Sequence, residues 1–381
     1  MPAEWEPHAA TWLAWPANKT TWPGPLLKEV ERTYLQMIRA LLPGEKVNLL
    51  VPVGATRRVA PTYDMQRRLP KNTNFNNLIL HPVKTVDTWI RDYGPIFVGG
   101  QRGRRPPTPM FTKWIFNAWG GKYKDLARDN GVVDRIKALK NYQRTDPRMV
   151  LEGGSIDVNG KGTCLTTEQC LLNPNRNPQL SRKDIEGYLK KYLGVQKTIW
   201  LKEGIEGDDT DGHVDDIARF VGPRTVLTAV ENDKQDKNHA ILKENLEILK
   251  RETDQDGKSF KIIELPMPGR VGMGRSGDSS ERLPASYANF YIANGTVLVP
   301  IYGHKNDKAA LKIIQKTFPG RRVIGIKCTA LVYGLGSVHC ITQQQPAVAV
   351  PGSNPVLTGT VPFWPKRDSP FRRAKISNFK Q

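Results

Sequence analysis

Four helical stretches, each followed closely by a short apolar run, point this chain toward an alternating α/β fold. From Leu26 to Leu42, the residues Leu27, Val30, Tyr34, Ile38 and Leu41 recur at helical spacing until Pro43-Gly44 stops them, and residues 47–53 then read as a buried strand. The helical pattern returns at 181–193, with Ser181 as a candidate N-cap, and again at 237–251 and 307–318. The apolar runs that follow these are 198–201, 262–265 and 322–326. Turn-rich segments at 101–109 and 266–282 are expected to be long loops, and neither separates regions of different composition. With no linker to divide it, the span 1–346 reads as one domain. Exact internal repeats are absent, although the alternation tolerates a degenerate one. Beyond it, five prolines and a basic end mark 347–381 as a tail, expected to be flexible or draped over the surface.

Composition narrows the classes further. A hydrophobic fraction of 39% fits a folded globular protein, and no apolar run approaches the roughly eighteen residues that span a bilayer. The start, Met1 to Pro7, has neither the basic nor the apolar region of a secretory leader, so a cytoplasmic location is expected. Cys164, Cys170, Cys328 and Cys340 contain no C-x-x-C and lie near no histidine pair at metal-ligand spacing. Free thiols are expected, with no metal and no disulfide framework.

The net charge of +20 raises the question of a nucleic-acid or polyanion partner. Its arginines fall in scattered groups, such as Arg57-Arg58, Arg67-Arg68, Arg102 to Arg105, Arg321-Arg322 and Arg372-Arg373, outside any nucleic-acid motif. A solvated surface is the expected reading. The acidic residues are concentrated instead: Glu203, Glu206, Asp208, Asp209, Asp211, Asp215 and Asp216 share a stretch with no Lys or Arg. That stretch is expected to meet a cation.

Several positions carry possible chemistry. Cys340 follows the small-residue run Gly334-Leu335-Gly336-Ser337 and precedes Ile341-Thr342, a β-branched pair that would set it on a strand. It reads equally as a small buried hydrophobe and as a nucleophile, which would need a base or cation beside it. In Gly212-His213-Val214-Asp215-Asp216, an extended backbone would turn His213 and Asp215 to one face. Asp92 precedes a Gly-Pro turn, three residues after Trp89, and Glu152 ends an apolar run before Gly153-Gly154, where backbone can approach closely. A thiol, an imidazole and three carboxylates exceed what a cysteine protease uses, whereas a guanidinium, a delocalised cation with a planar N–H fork, needs carboxylates to hold it.

The segments that hold these residues resemble those of the agmatine deiminases. They are residues 1–8, Trp89-Ile90-Arg91-Asp92-Tyr93-Gly94-Pro95, Phe116-Asn117-Ala118-Trp119-Gly120-Gly121, Leu151-Glu152-Gly153-Gly154-Ser155, Asn175-Arg176-Asn177-Pro178, the His213 segment and Val338-His339-Cys340-Ile341-Thr342-Gln343-Gln344. They follow the family's order and cover 1–346. The resemblance implies a five-bladed pseudo-symmetric α/β propeller, the pentein fold, around an acidic pocket. It implies Cys340 as nucleophile, His213 as general acid/base, Asp92 and Asp215 as the carboxylates that grip the guanidinium, and Glu152 as the acid paired with the histidine. Trp89 and Trp119 are expected to shape the slot for the substrate's aliphatic chain. The reaction implied is hydrolysis of agmatine to N-carbamoylputrescine and ammonia in putrescine and polyamine biosynthesis, with no metal or organic cofactor, and related enzymes suggest a homodimer.

Alternatives on the same residues are an arginine or peptidyl-arginine deiminase, or an amidinotransferase; outside catalysis, a basic polyanion-binding protein. Two features depart from the family's pattern. Leu335 interrupts a glycine run and is expected to stiffen the loop over the pocket. The net charge of +20 opposes a dicationic substrate, so association is expected to be slow or salt-dependent, with the field screened over about 8 Å.

Overall fold

Each helix of the alternation links two strands that run in parallel. Strand β1 (His8–Ala14) leads through α1 (Leu26–Leu41) to β2 (Lys46–Val51), with Ala10 beside Lys46 and Ala14 beside Leu50. Parallel neighbours cannot be joined by a tight turn, so the helix supplies the return path. Likewise α2 (Arg182–Leu193) joins β8 (Thr163–Thr167) to β9 (Lys197–Leu201), and α3 (Lys237–Arg251) joins β11 (Thr225–Val230) to β12 (Lys261–Pro266). The helix α4 (Asp307–Thr317) joins β14 (Thr296–Ile301) to β15 (Arg322–Lys327). These elements match the expected ones to within a residue or two. A fifth crossover, from β5 (Met110–Thr112) to β6 (Gln143–Thr145), uses short turns such as Leu126–Gly131 and Val132–Arg135. It has no sustained helical periodicity, which is why the sequence did not announce it.

The computed structural model describes residues 1–53, 73–99, 109–272 and 281–347. The arginine groups at 57–58, 67–68, 102–105 and 372–373, most of the two expected loops, and the tail beyond residue 347 lie outside the described residues.

Local sequence fixes the helix ends. Val30, Tyr34, Met37, Ile38 and Leu41 of α1 are buried on one face. Helix α2 begins with a reciprocal capping box between Ser181 and Asp184, as expected, and ends at Gly194, whose φ of 74° suits a residue without a Cβ.

The five crossovers reveal the degenerate repeat. In each module a leading strand pairs antiparallel with the next strand, which then pairs in parallel with the one beyond its crossover. The leading strands are β4 (Ile96–Val98), β7 (Asp157–Val158), β10 (Ala218–Gly222), β13 (Tyr291–Ile292) and β16 (Gln343–Pro346). They give four three-stranded sheets and one of four strands, in which β3 (Leu78–Pro82) lies beside β2. The closing strand β16 pairs with β1, so the last module is completed at the start of the chain. The result is the expected five-bladed α/β propeller. Strands flanked on both sides, such as Thr296–Ile301, read as continuous apolar runs because both faces are covered.

Candidate active site

The segment just before each leading strand brings a polar side chain toward one place. Asp92 precedes β4, Glu152 precedes β7, His213 and Asp215 precede β10, Asn289 precedes β13 and Cys340 precedes β16. The repeat therefore supplies the site from five equivalent connections, a relation hidden in the sequence because the residue types differ.

Gly154 marks where three of these groups meet. A Cβ there would lie 2.6 Å from His213 Nδ1, 3.0 Å from Asp92 Oδ1 and 3.1 Å from Asp215 Oδ2, so only glycine leaves room for them. Its backbone N–H donates to Asp92 Oδ1 at 3.0 Å, and Trp119 Nε1 donates to Asp92 Oδ2 at 3.0 Å. Burial and then the charges of Asp215 and Glu152 push the Asp92 carboxyl well above its ordinary range.

Residues 213–216 are not extended. His213 caps a single 3-10 turn, Val214–Asp216, its N–H donating to Asp208 Oδ2 at 3.0 Å and to Thr210 Oγ1 at 3.1 Å. The expected common face of His213 and Asp215 thus arises from a turn, and strand alternation was the wrong reason. Burial of the imidazole outweighs the nearby carboxylates and brings its pKa down to about 3, which leaves it neutral. Its Nδ1 faces Asp92 at 3.8 Å, whereas Nε2 has no hydrogen-bond partner among the described residues.

Asp215 is held from behind by His339, whose Nδ1 lies 2.6 Å from Asp215 Oδ2, and the other oxygen, Oδ1, has no partner among the described residues. Burial works to raise this carboxyl, but His339, with smaller contributions from His213 and Arg219, holds Asp215 below its ordinary value. His339 Nε2 in turn reaches Glu4 Oε2 at 2.8 Å, and Glu4 also accepts from Arg219 at 2.9 Å and Arg91 at 3.3 Å. This buried chain was not assigned any role from sequence. Its members are far apart along the chain; the only signal was that Glu4, Arg91 and His339 fall within the quoted segments.

Glu152 is bonded differently from the expectation. Its Oε1 accepts from Arg176 Nε at 2.7 Å, while the buried Oε2 has no partner among the described residues, and no hydrogen bond joins Glu152 to His213. The expected acid–histidine pair is thus a near approach, with Arg176 as the formed ion pair. The acidic stretch at 203–216 meets cations of the chain itself: Asp211 binds Arg176 and Lys122, each at 2.7 Å, and Glu206 lies 3.0 Å from Lys237. Of that stretch, Asp215 and Asp216 are close enough for their charges to act on the Cys340 thiol.

Cys340 lies in a turn ahead of β16 rather than on a strand, because Ile341-Thr342 continue the turn and Thr342 Oγ1 donates to Val338 and His339 carbonyls at 3.0 Å. Its Sγ accepts from Asn289 Nδ2 at 3.2 Å. Burial, then Asp215, Asp216 and Asp92, push the thiol well above its ordinary range. The sulfur opens onto a cavity of about 830 Å³ together with Trp89, Asp92, Trp119, Asp87 and Leu335. His213, Asp215 and Glu152 stand behind that wall. Trp89 and Trp119 both line that cavity. Leu335 adopts a left-handed φ of 70° beside Gly336, where a Cβ would strike the Trp89 ring at 2.5 Å. The other three cysteines are buried free thiols.

A pocket with a thiol at its wall, carboxylates behind it and aromatic sides suits a flat organic cation attacked by sulfur. Over residues 1–346 the chain matches the family described as Porphyromonas-type peptidyl-arginine deiminase. It is 38% identical over 372 residues to the agmatine deiminase of Medicago truncatula, covering 91% of this chain and 96% of that protein. Among solved structures, the agmatine deiminase of Enterococcus faecalis superposes with a TM-score of 0.81 at 34% identity, covering 92% of this chain and 96% of the other. A substrate-bound C. jejuni agmatine deiminase carrying a cysteine-to-serine change superposes with a TM-score of 0.76 at 31% identity, covering 91% and 96%.

Proposed function

Because the chain belongs to the Porphyromonas-type peptidyl-arginine deiminase family, we propose that it is an agmatine deiminase, hydrolysing agmatine to N-carbamoylputrescine and ammonia. Cys340 opening onto the same cavity as Asp92, Trp89 and Trp119 is the observation that carries this reading.

In the proposed reaction the substrate's aliphatic chain lies between Trp89 and Trp119, and its guanidinium is held by Asp92 and Asp215. As its sulfur attacks the guanidinium carbon, Cys340 gives its thiol proton to the neutral His213. His213 gives a proton to the departing ammonia, leaving an S-alkylthiouronium on Cys340. Water, deprotonated by His213, then adds to that carbon; the C–S bond breaks, and the urea product leaves with the sulfur restored. Buried carboxylates oppose a thiolate in the empty pocket, and a bound guanidinium offsets their field at the moment sulfur must ionise. Glu152, fixed by Arg176, supplies a buried acid on the far side of His213.

The test is ammonia release from agmatine, free arginine and a peptidyl-arginine side by side, with Cys340→Ala as control. Agmatine is expected to react fastest and the variant to be inactive. Reaction of arginine or the peptide alone would overturn the substrate, and activity in Cys340→Ala would overturn the covalent route.

A further inference from the structure

Behind the catalytic imidazole the structure places a second group of ligating atoms. A ligand atom from each of Glu152, Cys170 and His213 lies within 4.8 Å of the others, and all three residues are buried. Two of these residues also have an unused atom: Glu152 Oε2 and His213 Nε2 have no hydrogen-bond partner among the described residues. Those residues are 0% and 1% exposed, so no bulk water compensates them. Leaving buried polar atoms unpaired is costly, which makes them a specific feature to explain.

The set is a thiol, an imidazole and a carboxylate, the donor types of a zinc site. Zinc bonds of about 2.0–2.3 Å place neighbouring ligands of a tetrahedron some 3.3–3.8 Å apart, so a small contraction of the group would close it around an ion. Charge also balances. Arg176 is the neighbouring cation, bonded to Glu152 Oε1 at 2.7 Å, and Asp211, also at 2.7 Å, supplies the charge that meets it, so that of Glu152 counts toward the ion. A dication with one thiolate and one carboxylate is then neutral inside the protein. Cys170 is held in place by its backbone N–H, which donates to Thr167 Oγ1 at 3.2 Å, and has no part in the proposed reaction.

We propose that Cys170 Sγ, His213 Nε2 and Glu152 Oε2 form a site for a thiophilic divalent cation, zinc in particular, and that its occupancy switches the enzyme off by capturing the imidazole. Binding releases the Cys170 proton and forms three bonds to the metal; no oxidant or reductant takes part. Water or hydroxide completes the four-coordinate shell. The binding stands on the geometry alone, whereas the inhibition rests on the proposed role of His213.

Cobalt serves as a coloured probe. Added to the Cys340→Ala protein, which keeps all three ligands and lacks the nucleophile, it is expected to give a thiolate-to-cobalt charge-transfer band and tetrahedral d–d bands. These should vanish in Cys340→Ala carrying Cys170→Ser. Zinc X-ray absorption of the Cys340→Ala protein alone should show one sulfur at about 2.3 Å and an imidazole, a readout that needs no change at Cys170. In the agmatine assay, zinc should inhibit the unmodified enzyme reversibly with a chelator, and Cys170→Ser should raise the inhibiting concentration at least about tenfold. A shell without sulfur, or bands that persist without Cys170, would overturn the site. Cobalt bands without zinc inhibition would keep the site and overturn the switch.

Discussion

His339 and Asp215 are bonded through Nδ1 and Oδ2 at 2.6 Å, and the other imidazole nitrogen of His339 is bonded to Glu4 at 2.8 Å. The residue next to Cys340 therefore ties Asp215, one of the two carboxylates proposed to hold the guanidinium, to the beginning of the chain. His339 is a positioning residue: it leaves Asp215 Oδ1 pointing away from it and free. Replacing it with Gln should raise KM for agmatine more than it lowers kcat, because the carboxylate remains but loses its fixed direction. A loss confined to stability, with KM unchanged, would refute this role.

Glu4 is the acid-sensitive member of that chain. Burial would raise its pKa, but Arg219, His339 and Arg91 together hold it well below the ordinary 4.5. Its ionised form is thus favoured in the folded state. The stability it gives is complete above 4.5 and is lost as pH falls toward the folded value. Glu4→Gln should cost about 3–5 kcal/mol near neutrality, since Arg219 and Arg91 are left with one buried partner fewer. It should also show a shallower loss of stability on acidification; denaturant unfolding between pH 7 and pH 3 measures both effects.

Cys340 should be a sluggish nucleophile in the empty enzyme. Burial and the carboxylates of Asp215, Asp216 and Asp92 raise its pKa well above the ordinary 9.0. Alkylation by iodoacetamide is expected to be slow at pH 7 and still rising beyond pH 9, with Cys340→Ala unlabelled. A rate that levels off below pH 8 would contradict the electrostatics.

Trp119→Phe keeps a ring on the cavity wall and removes the donor to Asp92 at 3.0 Å. Loss of one charge-assisted hydrogen bond is worth about 1.5–3 kcal/mol, so kcat/KM should fall by roughly one to two powers of ten. Asp92→Asn, which removes the carboxylate itself, should cost more. Steady-state kinetics with agmatine rank the two.

Gly154→Ala should fold and fail. The added carbon would sit 2.6 Å from His213 Nδ1, forcing the imidazole and the two aspartates apart. Overpacking costs about 1–3 kcal/mol of stability, while turnover should drop by at least about a hundredfold. Thermal unfolding beside the ammonia assay separates the effects.

Much of the fold was legible because the crossovers are written in local periodicity. Helix α2 announced itself through its periodicity and Ser181, and four apolar runs gave their strands. The fifth crossover escaped, since its short turns bury little on one face. Of the site, Cys340, Asp92, Glu152, His213 and Asp215 were readable as residue types, but their supports were not. Asn289 stands 51 positions from Cys340, and Glu4 stands 335 positions from His339, distances over which no sequence pattern operates. His213 and Asp215 taught the same lesson in reverse, since a turn produced the shared orientation that strand alternation had suggested.

The pairing of β16 with β1 has a consequence for timing. Synthesis proceeds from Glu4 toward Cys340, so the growing polypeptide carries every carboxylate named above before it carries the reactive sulfur. That sulfur arrives with the strand that locks the first module to the last. A chain that ends short of residue 340 therefore lacks the proposed nucleophile, and the proposed site is complete only once the two ends have paired.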